Sequence, residues 1–273
     1  MHKVKKQHYL PQFYLRYFAN GGKICMVDRN LPKDFYTTRV QDVAQERYYY
    51  DFLGDNGNQY LERLFSLIEG DLSQKYRNLL NSVHDGYILS HDEKQVIISF
   101  LKLQLIRSDW MRNKIPDAIV DNLFKEDYVP EGKRLLHAYI IHEGTFAEQL
   151  DYLINYQFKV FKADQNLGLF TSSFPCYFHH VGDLDDLLEL ILSNRRNSRD
   201  DLFMNMDAFF PLSSDFCIYI QKLARFSEID DQNWYSHFVT SGISWASDKI
   251  FFKETKFSTQ LYPALKPIIK SSR

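Results

Sequence analysis

The chain has only three cysteines, Cys25, Cys176 and Cys217, an odd number without CxxC spacing. That usage fits a reducing compartment and excludes a disulfide framework or a zinc knuckle. No stretch approaches the ~20 consecutive apolar residues of a membrane span. The amino-terminal residues carry charges and a proline where a secretory leader needs an apolar core, so a soluble, cytoplasmic protein without membrane contact is expected. A formal net charge of −2 argues against the broad positive face that extended duplex DNA requires, while leaving room for a local basic patch. There is no phosphate loop, no dinucleotide glycine fingerprint and no nucleophile elbow. His137 and His142 stand five residues apart, wrong for two ligands on one helical face. His179 and His180, if on a strand, point to opposite faces and supply at most one inward ligand. No metal and no cofactor are expected. Cys176 lies near His179-His180, so a nucleophile pair is conceivable, but no further residue supports it.

What the chain does have is aromatic bulk. It contains 18 Tyr and 22 Phe, with 45% apolar and 25% charged residues, enough to bury a large core without any composition break that forces a domain split. No internal repeat or low-complexity linker interrupts it, and a single domain over residues 1–273 is expected, with a helical subregion over about 59–156. Lys23 to Asp28, Asp34 to Val40 and Arg47 to Phe52 read as strands. From Tyr60, Leu61, Leu64, Phe65, Ile68, Leu72, Tyr76 and Leu79 recur at helical spacing. Ser90 with Glu93 three residues on reads as a capping box opening a second long helix through Trp110. Further helical pieces follow from Pro116 and from Glu131 to Leu153. A hairpin is expected from Phe158–Phe161 to Leu167–Thr171, then a helix over Asp183 to Asn194. Asp207 to Leu212 and Phe216 to Gln221 read as a strand pair, Asn233 to Gly242 as a helix and Lys249 to Phe252 as a last strand. This order implies an α+β fold, a mostly antiparallel sheet packed against a helical bundle.

The run Lys5-Lys6-Gln7-His8-Tyr9-Leu10-Pro11-Gln12-Phe13 carries the chemistry. Pro11 fixes its own φ and pushes Tyr9-Leu10 toward an extended conformation, so His8 sits at the lip of a short helix ending near Asn20-Gly21-Gly22. His8 is either a partly buried structural histidine or a proton-transfer group in an anion-binding corner with Lys5, Lys6 and Arg16. On the second long helix Gln104 and Arg107 are i and i+3 and project from one face. Antiparallel packing against the first would bring them to Glu69, as a buried structural ion pair or as part of a site. Glu62, on the same side of its helix as Glu69, reads as a solvated polar residue. Glu46 is either an edge-strand charge or a third acid aimed at the same cleft. Arg195, Arg196 and Arg199 form a cationic stretch, usually a solvated helix end and occasionally a phosphate contact.

The opening run resembles the amino-terminal signature of a bacterial family catalogued as a domain of unknown function, number 4238. Ile68-Glu69, the Phe100/Gln104/Arg107 helix and Phe170-Thr171-Ser172-Ser173-Phe174-Pro175 are similar to its later segments, so the resemblance runs nearly end to end. It implies a bacterial, intracellular origin and a single-domain layout, and no activity. Ser173 stands where the family usually has an acid, and Ser108-Asp109 replaces a proline-containing continuation.

Two functions remain open. One is metal-independent phosphodiester cleavage of RNA or a nucleotide, with His8 as general acid or base and Arg107 stabilising anionic charge. Gln104 then orients substrate and Glu69 holds Arg107. Lys6, Gln7, Tyr9, Glu46, Thr171, Ser172 and Ser173 are the candidate substrate contacts, the hydroxyls at the mouth of the cleft and the aromatic opening stacking on a base. The other is a non-enzymatic binding or effector protein of a bacterial stress or phage-defence system, in which the same residues are structural. Oligomeric state cannot be read from the sequence.

Overall fold

Pro11, at φ −58°, separates a short strand, β1 (Lys6–His8), from a single helical turn, α1 (Gln12–Leu15), which tightens into a 3-10 turn over Arg16–Phe18. The computed structural model describes residues 3–28, 35–52, 56–107, 112, 134, 138, 145–164, 168–179, 207–221, 229, 232–245 and 249–253. The expected helices from Pro116 and over Asp183 to Asn194, the Arg195–Arg199 stretch, Ser108-Asp109 and the His137/His142 pair lie outside them.

The fold is α+β. Its described strands form three antiparallel sheets rather than one. β1 pairs with β4 (Gln45–Arg47) as a two-stranded ribbon. A second sheet has the order β3-β2-β10-β6, built from β2 (Lys23–Asp28), β3 (Tyr36–Arg39), β6 (Phe170–Ser172) and β10 (Lys249–Phe252). A third has the order β5-β9-β8-β7, built from β5 (Gln157–Lys162), β7 (Tyr177–His179), β8 (Asp207–Pro211) and β9 (Phe216–Gln221). The expected hairpin after Tyr156 does not form: β5 and β6 lie in different sheets, paired with β9 and β10. Local alternation marks a strand but leaves its partner open when a distant strand buries more apolar surface. The expected third strand over Arg47 to Phe52 is corrected: the strand is Gln45–Arg47 and shares only Arg47 with it, because Tyr48 adopts φ 53° and turns Tyr49 and Tyr50 into the core.

Two long helices join the sheets. α2 (Tyr60–Ser82) buries Leu61, Phe65, Leu72, Tyr76 and Leu79, while Ile68 is 39% exposed on a groove left open against α3 (His91–Arg107). The Ile68 position therefore corrects the reading of a continuous apolar face. The capping box forms: the Ser90 amide and hydroxyl donate to Glu93 Oε2 at 2.8 and 2.7 Å. Ser82 Oγ reaches Glu93 at one end of the pair and Arg107 reaches Glu69 at the other, so the helices run antiparallel. Residues Thr145–Asn155 form a 3-10 helix where an α-helix was expected, and α4 (Trp234–Trp245) packs on β7 and β8.

Tyr14 ties the opening run into this frame. Its ring meets Phe18, Tyr76, Phe100 and Phe210, and its hydroxyl donates to the Pro211 carbonyl at 2.7 Å. A buried tyrosine is tolerated there because its hydroxyl has a partner, and the rings supply the packing.

Candidate functional site

Among the described residues, Glu69, Arg107 and Tyr50 gather at β1, and Gln104 links the adjoining Tyr9 to the Ser173 segment. Gln7 is wholly buried and both ends of its amide are satisfied: Oε1 accepts from the Tyr50 amide at 2.6 Å and Nε2 donates to Asp51 at 2.8 Å. Arg107, at 2% exposure, donates from Nη1 to Glu69, from Nη2 to the His8 carbonyl and from Nε to the Tyr50 hydroxyl at 2.9 Å. The Tyr50 hydroxyl in turn donates to the His8 carbonyl at 3.0 Å, which closes a ring of bonds around that carbonyl. Burial alone would lower the Arg107 pKa, but Tyr50 and Glu69 overcome it and hold the guanidinium charged. Gln104 donates to the Tyr9 carbonyl at 2.8 Å and the Ser173 carbonyl at 3.0 Å. Two carbonyl acceptors fix the orientation of that amide and leave Gln104 Oε1 buried without a partner among the described residues.

The imidazole of His8 points away from this lock. Its Nε2 contacts the Gln41 carbonyl at 3.3 Å, and Gln12 Nε2 approaches Nδ1 at 3.5 Å. Together these select the Nε2–H tautomer, with the Nδ1 lone pair toward Gln12. Burial and the Arg107 charge lower its pKa, while the Gln41 hydrogen bond and Glu69 oppose them. The net shift leaves the ring neutral at physiological pH. Gln12 and Gln41, the two residues that hold the ring, also line an open cleft of about 580 Å³ whose cations are Arg16, Lys23 and Arg39.

The sequence-derived candidates divide accordingly. His8, Glu69, Gln104 and Arg107 come together, and Gln104 and Arg107 are directed at protein groups. Gln7 and Tyr9 are buried, and Lys6 pairs with Asp42 at 2.9 Å. Glu46 is held by Arg112 at 3.3 Å. The expected presentation of Thr171, Ser172 and Ser173 at a cleft mouth is corrected, because all three are buried. Thr171 meets the Tyr14 hydroxyl, and Ser172 donates to the Phe174 carbonyl, a bond that closes the turn before Pro175. Of the aromatic opening, Tyr9, Tyr14 and Phe18 pack inward and offer no exposed ring to a base, while Phe13 and Tyr17 are half-buried against the core. Cys176 is buried and its thiol is pushed up by desolvation, which makes it a poor nucleophile.

Sequence reasoning passed over Tyr50, Lys23 and Arg39, and its reading of Glu62 as a solvated polar residue is corrected. Glu62 is half-buried on the Glu69 side of α2, and its carboxyl is pushed up to about 7 by burial and by the neighbouring Glu69 and Asp51 charges, against the pull of Arg107. Among the described residues no three His, Cys, Asp or Glu side chains gather as metal donors, and no helix is long and apolar enough to cross a membrane.

A family model described as "Protein of unknown function (DUF4238)" matches residues 6–261. The chain belongs to this family. The DUF4238 match spans β1 through β10 and so includes the whole β1–Arg107 lock and the cleft. No curated protein and no solved structure matches the chain.

Proposed function

We propose that this DUF4238 protein binds a phosphate-bearing ligand beside His8 and acts on it as a metal-independent phosphodiesterase or nuclease, with RNA or a nucleotide as substrate. The observation that carries the reading is the sharing of Gln12 and Gln41 between the His8 ring and the cationic cleft. A neutral imidazole at the edge of a positive cleft is suited to take a proton from a hydroxyl that attacks phosphorus. On RNA, Nδ1 of His8 removes the 2′-hydroxyl proton as the 2′-oxygen bonds to phosphorus. The bond to the 5′-oxygen then breaks, and the leaving oxygen takes a proton from water. Arg16, Lys23 and Arg39 meet the charge that develops on the phosphoryl oxygens. Arg107 and Glu69 act as positioning residues through the His8 carbonyl, and Gln104 through that of Tyr9.

His8→Gln tests this, because glutamine keeps a donor for Gln41 while removing the base. The expected result is loss of cleavage of single-stranded RNA or a cyclic nucleotide at an unchanged melting temperature. An inactive wild-type protein, or a variant that loses stability in step with function, would sink the enzymatic reading. The second reading, a non-enzymatic binding or effector protein of a stress or phage-defence system, is favoured by one observation. The guanidinium of Arg107 is buried and directed wholly at Glu69, Tyr50 and His8.

A further inference from the structure

Within the cleft beside His8, Lys23 of β2 and Arg39 of β3 are register partners, so two cations stand directly opposite each other. Like charges in that position destabilise a strand pair. Arg16 adds a third charge, all three residues are exposed, and none has an ion-pair partner among the described residues. Lys6 on β1 shows the contrast, since Asp42 neutralises it. The turn that joins this wall to the 3-10 helix is Asn20-Gly21-Gly22-Lys23, closed by reciprocal bonds between Asn20 and Lys23 at 2.8 and 2.9 Å. Positive φ at both Gly21 and Gly22 makes it a type I′ turn, and a Cβ at either would meet nothing within 4 Å. Their amides donate to no acceptor among the described residues and border the same cleft. Among the described residues no aromatic ring lines the cleft.

An arrangement that concentrates uncompensated positive charge and backbone donors, without a stacking surface, recognises anions by charge and ignores bases. We infer that the Arg16/Lys23/Arg39 cleft is a subsite for clustered phosphates, either the polyphosphate chain of a nucleotide or adjacent phosphates of single-stranded RNA, and that it does not read the base. This deepens the reading of His8 chemistry and rests on it for the fate of the ligand.

The test is calorimetric titration of the full chain with inorganic tripolyphosphate at low salt. Saturable binding is expected, weakened about tenfold or more by Arg39→Gln or Arg16→Gln, the effect of losing one charge-assisted hydrogen bond. Arg77→Gln, a control on the exposed face of α2, should bind as the wild type does. In the ligand-free protein Arg39→Gln should raise the melting temperature, because it relieves the Lys23 repulsion, and added salt should shrink that gain. Adenosine should not compete, whereas ATP should. An oligoadenylate that displaces tripolyphosphate more effectively than ATP does identifies RNA as the source of the phosphates, and the reverse identifies a nucleotide. Undiminished binding by Arg39→Gln, or competition by adenosine, overturns the inference. Arg39-dependent tripolyphosphate binding by a protein without turnover would leave the subsite standing and remove the catalytic reading. His8-dependent turnover indifferent to Arg16 and Arg39 would do the opposite.

Discussion

Arg107→Met keeps much of the side-chain volume and deletes the charge at the centre of the β1 lock. Three groups then lose a donor: Glu69, the Tyr50 hydroxyl and the His8 carbonyl. Removing one member of a buried ion pair costs ~3–5 kcal/mol, because its partner is left uncompensated. Glu69 is 25% exposed and regains some hydration, which pulls the electrostatic part toward the lower end. The His8 carbonyl keeps its bond from Tyr50, so it adds little. A net loss of ~3 kcal/mol is the expected figure, a large share of the ~5–15 kcal/mol that holds a domain folded. Urea unfolding should show the midpoint falling at constant slope, and a double-mutant cycle with Glu69→Gln should return a coupling of ~1–3 kcal/mol. A loss below ~1 kcal/mol, the level of an exposed ion pair, would refute the claim that this cluster locks β1 to α2 and α3.

Glu62, with a folded-state pKa of about 7 against an ordinary 4.5, favours its protonated form on folding. That stabilisation is full below 4.5 and is lost as pH rises through 7, so Glu62→Gln should gain stability relative to wild type across that window, measured by denaturation at several pH values. Burial raises the thiol pKa of Cys176 and Cys217, and Cys25 is buried too. All three should stay unmodified by a thiol reagent until the protein is unfolded, and fast labelling of the native chain would contradict that packing. Ser90→Ala removes the hydroxyl of the capping box and should cost ~1 kcal/mol in thermal or chemical denaturation. An unchanged stability would show that the Glu93 contacts to Ser82 and Tyr87 suffice.

Much of the fold was legible because its signals are local. The periodicity of α2, the Ser90/Glu93 box and the runs that became β2, β8, β9 and β10 need only neighbouring residues to be read. Sheet membership was not, since β6 pairs with a strand about 80 positions away and no local pattern records that choice. The Glu69–Arg107 pair was legible from helix geometry, whereas the part of His8 that meets Arg107 was not. A sequence gives an imidazole to every histidine but does not say whether its carbonyl is the functional acceptor. The cationic cleft was half visible in Arg16, but Lys23 and Arg39 become neighbours only through the β2–β3 register. Tyr50 was hidden by its place in a tyrosine run, where each ring looks equally suited to the core.

The most direct test of the central claim is the titration of the His8 ring, followed by NMR with and without inorganic tripolyphosphate. In the free protein the midpoint should lie below the ordinary histidine value, as burial dictates. With an anion in the adjacent cleft the charged ring is favoured, so the midpoint should rise in wild type, and Arg39→Gln should need about tenfold more tripolyphosphate for the same rise. A midpoint unmoved by saturating tripolyphosphate would mean that His8 and the cleft are not one site.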